Sequence, residues 1–241
     1  MSKIKYLITS TLILFMVSCS SDIDKGIKGE GSVVSIVKSV EPFNRLKIGG
    51  VFNVFLDQDK TEKVRIEAEQ NILDLIKVYN DGKTLVIEYN SKTAISKSAE
   101  VNLYITIDDL KELDLEIVGD VKTNNSLDLH KFLLTNNSVG NIDFALLCKK
   151  LTIINNSVGD LKLFGLVNKF TLNNNSVGNV EAFSLTAEKV IVENNSVGNI
   201  ELSASYSIEI ENNGVGNIKY KGNPEKRNIE NNALGTVNEL K

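Results

Sequence analysis

The hexapeptide Asn136-Asn137-Ser138-Val139-Gly140-Asn141 returns as Asn155-Asn156-Ser157-Val158-Gly159-Asp160, and again at residues 174–179 and 194–199. Looser copies follow at 212–217 (Asn-Asn-Gly-Val-Gly-Asn) and 231–236 (Asn-Asn-Ala-Leu-Gly-Thr), and Glu116-Ile117-Val118-Gly119-Asp120 reads as a worn first copy. The glycines fall at 119, 140, 159, 178, 198, 216 and 235, in steps of 21, 19, 19, 20, 18 and 19. So regular a period restricts the chain to a stacked repeat architecture, because a unit this short cannot bury an apolar face alone.

Leu151 to Lys169 serves as the type unit. Leu151-Thr152-Ile153-Ile154 alternates and predicts a strand, and Leu161-Lys162-Leu163 alternates again. Asn155 to Gly159 supplies turn chemistry, since Asn and Gly tolerate positive φ. Two short strands and two turns leave no room for a helix. One parity gives apolar columns before the turn (Phe132/Leu134, Leu151/Ile153, Phe170/Leu172, Val190/Val192, Ile208/Ile210) and after it (Ile142/Phe144, Leu161/Leu163, Val180/Ala182, Ile200/Leu202, Ile218/Tyr220). Leu147, Leu166 and Leu185 suggest a third inward column. The opposite parity is mostly polar, and in the column Asp143, Lys162, Glu181, Glu201, Lys219 three of the four neighbouring pairs are opposite in sign. The predicted fold is an all-β, single-stranded β-solenoid of 19–20 residues per coil.

Asn136, Asn155, Asn174, Asn194, Asn212 and Asn231 continue the inward parity. A buried lone amide is costly, but identical amides stacked coil on coil can bond along the column, as in cross-β packing. A structural ladder at a corner is the expectation, with a ligand-binding row of asparagines as the alternative. Gly140, Gly159, Gly178, Gly198, Gly216 and Gly235 are the predicted turn glycines.

The N-terminus carries a different signal. Lys3 and Lys5 precede the apolar run Leu7–Val17, which is too short to span a bilayer. Met16-Val17-Ser18-Cys19 then resembles a bacterial lipobox, so residues 1–18 are expected to be a cleaved signal peptide and Cys19 the lipidated residue; an ordinary secretory signal is the alternative. Several acyl chains on one residue would anchor stably in a membrane. Loss of Lys3 and Lys5 takes the formal charge from −4 to −6, which argues against nucleic-acid binding. Residues 19–31 read as a tether, and Ser20 after the cysteine favours the outer membrane of the cell envelope.

Residues 32–113 are β-rich without a crisp period. Strands are expected at Val33–Val37, Arg45–Ile48, Val51–Leu56, Val64–Ala68 and Val101–Ile107, and Asp81-Gly82 signals a hairpin. This part should cap one end of the repeat part at 114–241. At the other end Arg227 falls in an inward apolar column and Pro224 removes a ladder donor, so the last coil is expected to be a cap.

Phe43-Asn44-Arg45-Leu46-Lys47-Ile48-Gly49-Gly50-Val51, Asp81-Gly82-Lys83-Thr84-Leu85-Val86-Ile87, the Gly-bearing turns and Tyr220-Lys221-Gly222-Asn223-Pro224 together resemble the head GIN domain family of autotransporter adhesins. The resemblance runs from about residue 43 to residue 237. It implies a right-handed β-helix-like stack and an adhesin-like role, and it brings no catalytic residues. The family's Gly-Ser-Gly-type turns are replaced here by Asn-Ser-Val-Gly, which changes the turn surface but not the period.

Chemistry-bearing residues are sparse. The single histidine is His130, beside Lys131; no Ser-His-Asp set, zinc spacing or phosphate loop is present, and no cofactor is expected. Apart from Cys19 the one cysteine is Cys148, beside Leu146-Leu147, which reads as buried filler. Glu193, Glu209, Glu211 and Glu230 gather outward on late coils: a solvated acidic face, or, for Glu193, Glu211 and Glu230, a divalent-cation site. The expected protein is a non-catalytic envelope lipoprotein that binds or presents a surface, with a glycan or surface-protein ligand. A carbohydrate-binding or carbohydrate-active β-helix is the alternative, for which Tyr206 and Phe183 are the candidate aromatics.

Overall fold

The structure, a computed structural model, describes residues 26–90, 95–96 and 99–240. The predicted signal peptide and Cys19 lie outside the described residues. The chain is a β-solenoid of about 7 turns with about 19 residues per turn.

The N-terminal part comprises β1 (Val33–Lys38), β2 (Arg45–Val51), β3 (Asn53–Gln58), β4 (Lys63–Glu69), α1 (Gln70–Leu73), β5 (Ile76–Asp81), β6 (Thr84–Tyr89), β7 (Asn102–Ile107), β8 (Glu112–Val118) and β9 (Val121–Thr123). The repeat part follows as β10 (Leu127–Asn136), β11 (Ile142–Asn155), β12 (Leu161–Asn174), β13 (Val180–Asn194), β14 (Ile200–Asn212), β15 (Ile218–Lys221), β16 (Lys226–Asn231) and β17 (Val237–Glu239). From β10 on, each coil pairs in parallel with the next, and Phe132, Leu151, Phe170, Val190 and Ile208 occupy one register position. The inward columns before and after the asparagine turn are all buried, Tyr220 being the most accessible at 4 %. Strict alternation over each strand puts every second side chain into the shared core.

The third predicted column is wrong in part. Leu147 and Leu166 are 40 % and 58 % exposed, whereas Leu185 is 1 % exposed. Alternation from Phe144 points Leu146 inward and Leu147 outward. Gly165 takes the inward slot of the following coil, and Leu185 is in register with Gly165, not with Leu166. One extra residue between Glu181 and Leu185 produces that shift, a β-bulge. Coil lengths of 19, 20 and 18 are thus absorbed on the face remote from the asparagine turn, where the register shifts lie.

The N-terminal part is more than a cap. β2 pairs in parallel with both β6 and β8, and β3 with both β7 and β9. Residues 45–58 therefore form a coil of the solenoid, held between a coil outside it (β6, β7) and one inside it (β8, β9). The capping is done by antiparallel strands: β4 covers β7, β1 covers β4, and β5 covers β6. α1 adds buried Ile72 and Leu73. Residues just before the expected start of the N-terminal part at residue 32 also touch it. Asn71 accepts from the Glu30 N–H at 2.9 Å and donates to the Lys28 carbonyl at 2.8 Å, so residues 28–30 are docked rather than free tether.

At the far end, β16 and β17 continue the stack but are almost wholly exposed. Arg227 sits in the Ile208 column and ion-pairs with Glu239, in the Tyr220 column, at 3.0 Å. This pair closes the apolar interior across its mouth with charge instead of with covering strands.

Candidate functional site

The repeated hexapeptide builds one corner from three hydrogen-bonded columns. In the inner column each Asn side chain donates to the next coil: Asn136 to Asn155 at 2.9 Å, Asn155 to Asn174 at 2.9 Å, Asn174 to Asn194 at 3.2 Å, Asn194 to Asn212 and Asn212 to Asn231 both at 2.8 Å. The receiving oxygen also takes a hydroxyl from two residues on, as Ser157 gives to Asn155 and Ser176 to Asn174. The column begins at Asn136 because its neighbour in the preceding coil is Leu115, and the Asn136 Oδ1 is buried with no partner. It ends at Asn231, which is exposed and donates to the Gly235 carbonyl at 2.9 Å.

The outer column runs the other way. Asn156 donates to Asn137 at 2.9 Å, Asn175 to Asn156 at 3.1 Å and Asn195 to Asn175 at 3.2 Å. Two rows of aligned amide dipoles in opposite senses largely cancel. The third column goes beyond the sequence-based expectation: Asn141, Asp160, Asn179, Asn199 and Asn217 each accept the backbone N–H of their counterpart in the next coil, at 2.8–3.0 Å. Its signal in the sequence is the Asn or Asp that follows each turn glycine. The glycines at 140, 159, 178, 198 and 216 have φ between +133° and +148°, while Gly235 is not in that conformation. Between them Val139, Val158, Val177, Val197 and Val215 stand half exposed as a ridge.

Other singled-out residues are scattered. Glu193, Glu211 and Glu230 share one register position on successive coils and are exposed. Asn213 donates to Glu211 at 3.1 Å and Asn232 to Glu230 at 3.3 Å. No group of three or more His, Cys, Asp or Glu side chains converges to hold a metal ion among the described residues. Cys148 is buried, its Sγ 3.1 Å from the Lys150 carbonyl, and burial pushes its thiol up. Glu181 pairs with Lys162 at 3.2 Å in the alternating column.

A further column follows the same period and escapes a reading of single residues. Lys131, Lys150, Lys169 and Lys189 stack in one register position across four consecutive coils. Ser207 takes the fifth slot and Lys226 the sixth, with Tyr206 5.8 Å from the Lys189 ammonium and 5.1 Å from that of Lys226. Shallow cavities flank this column. One of 480 Å³ is lined by Lys131, Lys150, Leu133 and Thr152, and one of 280 Å³ by Lys169, Lys189, Ile191 and Lys226. Another, of 780 Å³, lies around the bend of the coil, where it meets His130, Asp128, Leu147, Leu166, Cys148 and Glu188.

These features define a parallel β-solenoid whose inward and corner columns are internal bracing and whose outward columns form long exposed faces. The chain belongs to the family described as "Putative auto-transporter adhesin, head GIN domain", whose model matches residues 42–224. It is similar to a "putative adhesin" of Bacteroides fragilis, at 30 % identity and a TM-score of 0.86, over 89 % of this chain and 100 % of that one. A "putative lipid binding protein" of Parabacteroides distasonis shares the fold at 19 % identity and a TM-score of 0.63, over 89 % and 99 % of the two chains. A "putative adhesin" of Parabacteroides merdae does so at 17 % identity and a TM-score of 0.56, over 89 % and 99 %. No curated protein matches the chain.

Proposed function

We propose that the chain is an envelope lipoprotein whose solenoid binds a partner surface without catalysing a reaction. The observation that carries this reading is the division of labour between columns. Inward and corner positions hold the coils together, whereas the outward columns, some repeated as in Lys131 to Lys189 and some varied as in Asp143 to Lys219, form long continuous faces. Repeat proteins use such faces for extended contacts. Family membership and the likeness to the Bacteroides fragilis "putative adhesin" support the same direction.

Attachment through Cys19 would place the solenoid on the envelope, with the outer membrane the expected location. Cys19→Ala is expected to move the chain from the membrane to the soluble fraction or leave it uncleaved, since acyl chains supply the membrane affinity. Cell fractionation with mass analysis of the N-terminus reads this. Correct cleavage with unchanged membrane retention would overturn the lipid anchor. For binding, the full chain in detergent should mark a restricted set of spots on an array of glycans and matrix proteins, and a blank array would overturn the adhesin reading.

A second reading, a carbohydrate-active β-helix, draws on the 780 Å³ cavity, whose lining includes His130, Asp109 and Asp128, with Glu188 three coils along from His130. New reducing ends released from a polysaccharide panel by wild type, and lost in His130→Ala, would favour it over the first.

A further inference from the structure

We propose that the lysine column is a binding track for a linear acidic polysaccharide lying along the solenoid axis, one anionic group per coil. This rests on the binding role proposed above and names the ligand class.

Like charges placed directly opposite on neighbouring strands destabilise a sheet. Elsewhere the solenoid relieves most such repulsion. Asp143, Lys162 and Glu181 alternate in sign and Lys162 ion-pairs with Glu181, although Glu181 and Glu201 are like-charged neighbours. In the stacked Glu193, Glu211 and Glu230, two carboxylates take an amide donor, from Asn213 and Asn232. Yet Lys131, Lys150, Lys169 and Lys189 stack four deep, and none of them ion-pairs with a carboxylate among the described residues. The chain as a whole is acidic, at −4, so the column is no sample of a basic background. Four cations held in a line against their own repulsion are complementary to an anion repeated along a line.

Spacing selects the anion. Coils repeat every ~4.8 Å, close to the advance of one pyranose in an extended glycan, so a chain with one carboxylate or sulfate per sugar stays in step with the lysines. Beside the lysines runs a half-buried shelf of Leu133, Thr152, Thr171 and Ile191, in register coil by coil. Aliphatic surface with two hydroxyls suits the mixed faces of a sugar. The next position on the shelf is Glu209, which repels an anion and ends the track after four coils. Single-stranded nucleic acid, by contrast, is held by stacking on aromatic side chains, and the shelf of these four coils has none.

The test is calorimetric titration of the full chain in detergent with polygalacturonate, which carries a carboxylate on each sugar. Dextran, oligo(dT) and phosphatidylglycerol vesicles are titrated alongside. The expected result is binding of polygalacturonate but not dextran, weakening with salt, and loss of about tenfold or more in affinity in Lys150→Glu/Lys169→Glu. The double variant Lys60→Glu/Lys77→Glu changes net charge equally at remote exposed sites and should bind as wild type. No binding of polygalacturonate, equal loss in both double variants, tighter binding of oligo(dT), or vesicle binding that Lys150→Glu/Lys169→Glu abolishes would overturn the proposal. Array spots without acidic groups that survive Lys150→Glu/Lys169→Glu would leave the adhesin reading standing while the lysine track falls; a blank array removes both.

Discussion

Gly178→Ala is expected to lower the melting temperature by about 10 °C. The glycine has φ +147°, a conformation that L side chains rarely adopt, and an added methyl would strike the carbonyl oxygen of Gly159 in the preceding coil. That oxygen cannot retreat. The Gly159 N–H is fixed to the Val177 carbonyl at 2.9 Å, and the Val177 N–H to the Ser157 carbonyl at 2.9 Å. Backbone strain alone costs of order 1–3 kcal/mol. Displacing a braced coil in mid-stack raises the sum to about 4 kcal/mol, at roughly 2–4 °C per kcal/mol for a chain of this size. Gly49→Ala is the control, since Gly49 lacks a positive φ and has open space where the methyl would go. Thermal melts followed by circular dichroism decide it. If both variants melt with wild type, the turn glycines do not set the coil spacing.

The second large effect is expected at the inner asparagine column. Asn174→Ala removes the acceptor of Asn155 Nδ2, the acceptor of the Ser176 hydroxyl and the donor to Asn194 Oδ1. Asn194 keeps the Ser196 hydroxyl at 2.6 Å, so the main losses are the buried donors on Asn155 and Ser176. Each unsatisfied buried group costs on the order of 1–3 kcal/mol, giving about 2–5 kcal/mol in all. Asn231→Ala strands the Asn212 donor alone, on a terminal coil where water can replace the partner, and should cost less. Asn175→Ala breaks the exposed outer column and should cost least. Urea melts of the three variants test the ordering. Were Asn175→Ala the most damaging, the exposed amides rather than the buried ones would hold the corner.

Period and alternation make the repeat part legible, because both are geometric consequences of stacking. Leu134, Ile153 and Leu172 share one register position, and all three can point inward only if parity is kept from coil to coil. Where parity breaks, alternation misleads. Leu147 and Leu166 look like Leu185 in the sequence, but a single inserted residue in β13 changes which of them faces the core. The N-terminal coil at residues 45–58 is hidden for another reason. Its two parallel neighbours come from residues 84–107 and 112–123, so no fixed step in sequence connects them. Of the site, the inner asparagines stand out because buried amides demand partners. The lysines obey the same step of 19 or 20 but are unremarkable singly on a surface, and their register is what gives them meaning.

That displaced N-terminal coil gives the molecule a direction of assembly. In an ordinary solenoid each new coil can settle on the last as the chain lengthens, and folding can start anywhere. Here β2 and β3 have one neighbour only after residue 107 exists and the other only after residue 123. The first half must therefore wait, with its strand edges open, and close in a single event that brings segments far apart in sequence together, a slow step on grounds of loop entropy. Once closed it offers one templating edge, because β4, β1 and β5 block the opposite side. Growth coil by coil toward the C-terminus is the expected order, with the nucleus and the propagating stack in different parts of one chain.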